Sequence, residues 1–233
     1  MPVKIIAQPS VEPISLADAR LHLRITGSAD ATIVTPEDGL IKMLIGAARR
    51  AAETITRRAL ITQQWQMVVD RFPSPMGARL ADYWLGQSWG MSGMSGVSQF
   101  APTDRTGYAI MLPFPPLATV DSIQYLDPAG VLQTLPTANY VVDTTSEPGR
   151  IVPALGYAWP STLLQIDAVT VKFTVGYGFA ETDVPEGIRS WMLLMIGTLY
   201  ENRELVAILQ KGRLQELPYV DGLLDPYRVQ YFA

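Results

Sequence analysis

The hydrophobic period of this chain switches twice, and those two switches constrain the fold more than any single motif. Before residue 58, Leu40, Leu44, Ala47, Ala51 and Ile55 recur every three or four positions, an apolar stripe down one side of a helix. Past Leu60 the pattern alternates, with Trp65, Met67 and Val69 on one side and Gln64, Gln66 and Asp70 on the other, which is the period of a strand. From Asp183 the helical period returns, with Ile188, Trp191, Met192, Met195, Ile196 and Leu199 covering more than half of a helix. The expected class is therefore α+β: a helical bundle formed by N-terminal and C-terminal helices, with a β-rich antiparallel insertion between them.

Local chemistry places the element ends. Ser15-Leu16-Ala17-Asp18 announces a first helix, with a capping Ser and an acid at the third helical position, which should end near Gly27. Thr35-Pro36-Glu37-Asp38 opens the second, with a cap, a Pro suited to the first helical position and two acids facing the helix dipole; this helix should reach Arg58. Pro73 and Pro75 end the first strand, and the Gly-, Ser- and Met-rich stretch from Gly86 to Ser98, beside Trp84 and Trp89, carries no usable period.

Strand patterns resume at Ala109 to Leu112 and Val120 to Leu126. Asp127-Pro128-Ala129-Gly130 then supplies a type I turn, and Val131 to Leu135 returns as the hairpin partner. Shorter strands follow at Tyr140 to Asp143 and Ile151 to Val152, separated by Glu147-Pro148-Gly149, and the clearest half-buried strand alternates through Val169, Val171, Phe173 and Val175. Asp183-Val184-Pro185-Glu186 starts the last helix, Asp183 serving as its cap with Glu186 reaching back. The expected organisation is a helical part over 1–60, a β-rich part over 61–180 with a long loop near 76–106, a closing helix over 181–205 and an extended arm over 206–233. No internal repeat is present.

Composition narrows the function classes. Of 233 residues, 48% are hydrophobic and 17% charged, a globular balance, and the net charge of −4 argues against a protein that coats nucleic acid through Lys and Arg. The absence of cysteine excludes disulfides, thiolate metal sites and cysteine nucleophiles. The opening Met1-Pro2-Val3-Lys4 runs into Gln8 and Pro9 without a secretory pattern, so export by that route is not expected. The longest apolar run, Trp191 to Tyr200, falls well short of the about 20 residues that cross a bilayer.

Catalytic candidates are few. The one histidine, His22, sits within the first helix without a partner motif, and Glu201 with Glu204 reads as a solvated helix face before it reads as an acid pair. Arg49, Glu53 and Arg57 follow i,i+4 spacing, first a helix-stabilising ladder. Joined by Arg50 and Arg58 they form the one notable basic cluster, a place for transient phosphate contact if it lines a channel. Thr174-Val175-Gly176-Tyr177-Gly178 matches the potassium-filter string, but no spanning helices surround it, so it reads as a strand ending in a glycine turn. No phosphate loop or dinucleotide fingerprint occurs, and no cofactor or metal is indicated.

Several segments together resemble the head-tail connector family of tailed bacteriophages. They are Val11 to Ala19 with His22-Leu23-Arg24, Arg58 to Trp65, Leu112-Pro113-Phe114-Pro115-Pro116-Leu117, Tyr140 to Asp143 with Pro148 to Ile151, Val169 to Gly178, Val184-Pro185 with Tyr200 to Glu204, and Leu224 to Val229. The chain departs from the pattern over Met76 to Thr106 and over Val206 to Gln215. The resemblance implies a non-enzymatic virion protein, assembled in the host cytoplasm: a ring of twelve copies under the portal at the head-tail interface. It would contact a stopper or tail-terminator protein in the neck and pass genomic DNA through its centre without reading its sequence.

That resemblance also makes Leu217 to Ala233 a docking arm. Its aromatic residues Tyr219, Tyr227, Tyr231 and Phe232 are the expected portal or neighbour contacts, with a tail folded onto its own domain as the alternative. Trp89, Met91, Met94, Trp191 and Met195 are the expected subunit contacts, and Arg49, Arg50, Arg57 and Arg58 the expected transient DNA contacts. Two other readings stand beside the adaptor. One is a stopper or tail-completion subunit; the other, prompted by Trp84, Trp89 and Trp159, is a small carbohydrate-binding or carbohydrate-active module.

Overall fold

In a computed structural model describing residues 3–25, 36–73, 108–202 and 222–229, the two hydrophobic periods sort into two compact units. One joins residues 1–7, 64–175 and 230–233; the other joins 8–63 and 176–229. The mixed α+β class expected from the sequence holds, with three helices and two antiparallel sheets among the described elements.

The sheet unit contains strands β1 (Val3–Ala7), β2 (Gln63–Val69), β3 (Ile110–Leu112), β4 (Leu117–Leu126), β5 (Leu132–Thr134), β6 (Tyr140–Asp143), β7 (Gly149–Pro153) and β8 (Val169–Val175). They form a five-stranded sheet in the order β1-β2-β8-β4-β5 and a three-stranded sheet in the order β3-β7-β6. Strand β8 buries every second side chain, Val169, Val171, Phe173 and Val175, as its alternation requires. On its neighbour β4, Ile123 lies opposite Val171 and Val120 opposite Phe173. The turn after β4 closes as expected, the Gly130 amide donating to the Asp127 carbonyl at 2.8 Å with Gly130 at φ +82°, a conformation that favours glycine.

Strand β1 was not foreseen. Val3, Ile5 and Ala7 alternate with Lys4 and Ile6 over too few residues to signal a strand, and pairing with β2 supplies what the period could not: Val3 opposite Met67, Ile5 opposite Trp65. The β part of the chain is thus not only an insertion, because its edge comes from the extreme N-terminal region.

The helical unit packs α1 (Leu16–His22), α2 (Asp38–Thr56) and α3 (Glu186–Glu201) around Ile14, Ile41, Ile45, Leu60, Ile61, Ile188, Trp191, Met192 and Ile196. Ser15 caps α1, its hydroxyl accepting from the Asp18 amide at 3.1 Å, a contact worth about 1 kcal/mol. The helix stops at His22 rather than near Gly27: Leu23 closes it and Arg24 turns to φ +54°. The row buried on α2 is Ile41, Ile45, Ala48, Ala52 and Thr56, one position on from the expected stripe; Leu44, Ala51 and Ile55 flank it. Both rows are largely apolar at helical spacing, Thr56 meeting the Ala52 carbonyl with its hydroxyl, so the centre of the stripe is set by what it packs against.

Two capping expectations change. Glu37 stands at the start of α2 without a side-chain cap bond, and Thr35 lies outside the described residues. Pro185, not Asp183, precedes α3; the Asp183 carboxylate instead accepts from the Ala180 amide at 2.9 Å and holds the preceding 3-10 turn. A buried ion pair between Arg20 and Asp38 ties α1 to the first turn of α2, and the Tyr200 hydroxyl donates to Glu37 at 2.6 Å. Among the described residues no helix is long and apolar enough to cross a membrane.

Candidate interaction surfaces

The basic cluster does not form one surface. Arg49 is buried on α2, where its guanidinium donates to Glu12 at 2.8 Å and to Glu53 at 3.1 Å. Glu53 accepts further from the Leu60 amide at 3.2 Å and from the Gln63 side chain at 2.9 Å, closing the turn that follows the helix. Burial pushes the Glu53 carboxyl above its ordinary value, against the pull of Arg49 and these donors. Arg57 takes the left-handed conformation at φ +56° that ends α2 and is exposed, as is Arg50. Arg58 turns inward, is buried and donates from Nε to the Tyr227 carbonyl. Of the four arginines only Arg50 and Arg57 present themselves to solvent, because Arg49 and Arg58 are needed to neutralise or satisfy interior groups.

The extended arm expected over 206–233 does not hold over residues 222–229. Leu224 is fully buried in the helical core, with Leu223 and Tyr227 packed beside it. The Val229 amide donates to the Thr56 carbonyl at 3.0 Å. The Tyr227 ring lies over Gly187 of α3, where a Cβ would come within 3.0 Å of it. Three anchors in eight residues repay the ordering of a short segment, so the alternative of a tail folded onto its own domain is the one realised here. Tyr219, Tyr231 and Phe232 lie outside the described residues.

Trp191 and Met195, expected at a subunit contact, belong to the helical unit's own core: Trp191 is buried and Met195 half-buried against it. This intramolecular packing covers Trp191 and part of Met195. Trp89, Met91 and Met94 lie outside the described residues. His22 is exposed on α1, its ring 3.4 Å from where a Gly197 Cβ would stand. The filter-like string is a strand end: Gly176, at φ +130°, passes so close to Ile61 and Thr62 that a Cβ would sit 2.6 Å from their backbone.

One surface was missed. Residues 151–166 contain no charged side chain, a run visible in the sequence that helical or strand periods do not flag. Within it Leu155 is fully exposed, Tyr157 largely so, Leu164 92% and Ile166 78%. The backbone carrying them is fixed. The Ala154 amide donates to Asn139 at 3.0 Å, the Leu163 amide to Leu126 at 3.0 Å and the Tyr157 amide to Ala154 at 2.9 Å. Trp159 stacks on Phe72 with ring centroids 4.8 Å apart and donates to the Tyr108 carbonyl at 2.6 Å. Nearby on β6, Asp143 accepts from Thr145, Ser146 and Arg150, which hold its carboxyl far below the usual range.

No family model matches the chain. No curated protein matches it in sequence. Solved structures do. A chain from the neck of an empty gene transfer agent particle computed with C6 symmetry superposes with a TM-score of 0.69 at 21% identity, over 99% of this chain and 96% of that one. A chain from the virion of the native gene transfer agent particle gives 0.67 at 20% identity, with the same coverage of 99% and 96%. A chain from the native neck computed with C12 symmetry gives 0.63 at 20%, again over 99% and 96%. At such identity the likeness is one of fold: over nearly its whole length this chain has the architecture of a gene transfer agent neck chain, and its resemblance to head-tail connectors stands at that level.

Proposed function

We propose that the protein is a structural component of the neck of a tailed, phage-like particle. In this reading it is an adaptor that forms a ring beneath the portal, bridges to a stopper or tail-terminator protein and surrounds the DNA path. The observation that carries the reading is end-to-end likeness, 99% of this chain against 96% of a neck chain, which leaves neither partner with a large unmatched part. A ring of twelve copies is proposed with it, supported by the C12 symmetry of one relative's neck; C6 is compatible with the same ring. DNA contact is assigned to Arg50 and Arg57, transient and blind to sequence, since a chain of net charge −4 has little to hold a phosphate backbone with. The carbohydrate alternative loses Trp159, whose ring face is taken by Phe72.

Electron microscopy of particles assembled without the protein tests the adaptor role. The adaptor reading expects filled heads whose portals carry no later neck component. Portals that retain a bound ring between themselves and the gap would instead make this chain a stopper or completion subunit.

A further inference from the structure

We draw no further inference here: the strongest candidate, the exposed apolar ridge of Leu155, Tyr157, Leu164 and Ile166 on the sheet unit, carries none because nothing in the structure shows what covers it.

Discussion

Residues 154–167 form no helix or strand and residues 222–229 hold little more than a 3-10 turn at Asp225–Tyr227; both contain proline and both carry large apolar side chains, yet they meet opposite fates. The second includes Asp225 and Arg228 and still buries Leu224 completely; the first has no charge before Asp167 and leaves Leu155 and Leu164 in solvent. Polarity alone would have ranked them the other way. The difference lies in what their anchors hold. In the tail segment Arg58 and the Thr56 carbonyl grip Tyr227 and Val229, and Leu224 just before them is buried in the helical core while the Tyr227 ring lies over Gly187 of α3. In the ridge, Trp159 and three backbone bonds hold the main chain itself, and the side chains face outward.

The sharpest way to break this contrast is to empty the tail's anchor point. Leu224→Ala should cost about 3 kcal/mol in chemical denaturation, through lost burial plus a residual cavity; a cost near zero would mean that 222–229 is an arm after all. Arg58→Ala comes next, at about 2 kcal/mol, because it strips the part-buried Tyr227 carbonyl of a charged donor. Hydrogen exchange at Val229 should quicken in the same variant.

The polar cluster behind the tail gives a pH test. Burial holds the Glu53 carboxyl above 4.5, so the folded chain binds that proton more tightly than the unfolded chain. The stability it contributes is fully present below pH 4.5 and is lost as pH rises through the folded value. Glu53→Gln, which has no proton to lose, should lack this decline, and melting curves should favour the variant increasingly from pH 4.5 upward. Asp143 provides the opposite sign. Its carboxyl is lowered by Ser146, Thr145 and Arg150, so its contribution is present above pH 3.8 and falls away in stronger acid. The melting difference between wild type and Asp143→Asn should therefore shrink below pH 3.8.

The smallest expected effect is on the ridge. Leu155→Ser with Leu164→Ser should change folding stability by less than about 0.5 kcal/mol, since side chains already in water lose little burial. A large loss there would place the ridge inside a core.

Much of the fold was legible in residue spacing. Strand β8 follows its alternation from Val169 to Val175, and Ser15 caps α1 as its sequence says, because both depend on neighbours within a few residues. The candidate surfaces were far less legible. Trp191 looked like a contact residue because an apolar side chain does not say which surface will cover it, and here the chain's own core buries it. Arg49 and Arg58 looked like a basic patch because spacing does not reveal Glu12, 37 positions away, or the Tyr227 carbonyl, 169 positions away.

By itself the sequence determined the α+β class, most element positions and a likeness to head-tail connectors, all carried by local periodicity and short motifs. The tertiary structure decided which row of α2 faces inward, that β1 joins the sheet, that residues 222–229 are core and that 154–167 is surface. Those outcomes turn on contacts between segments far apart in the chain, whose burial and hydrogen-bond energies exist only once the partners have met.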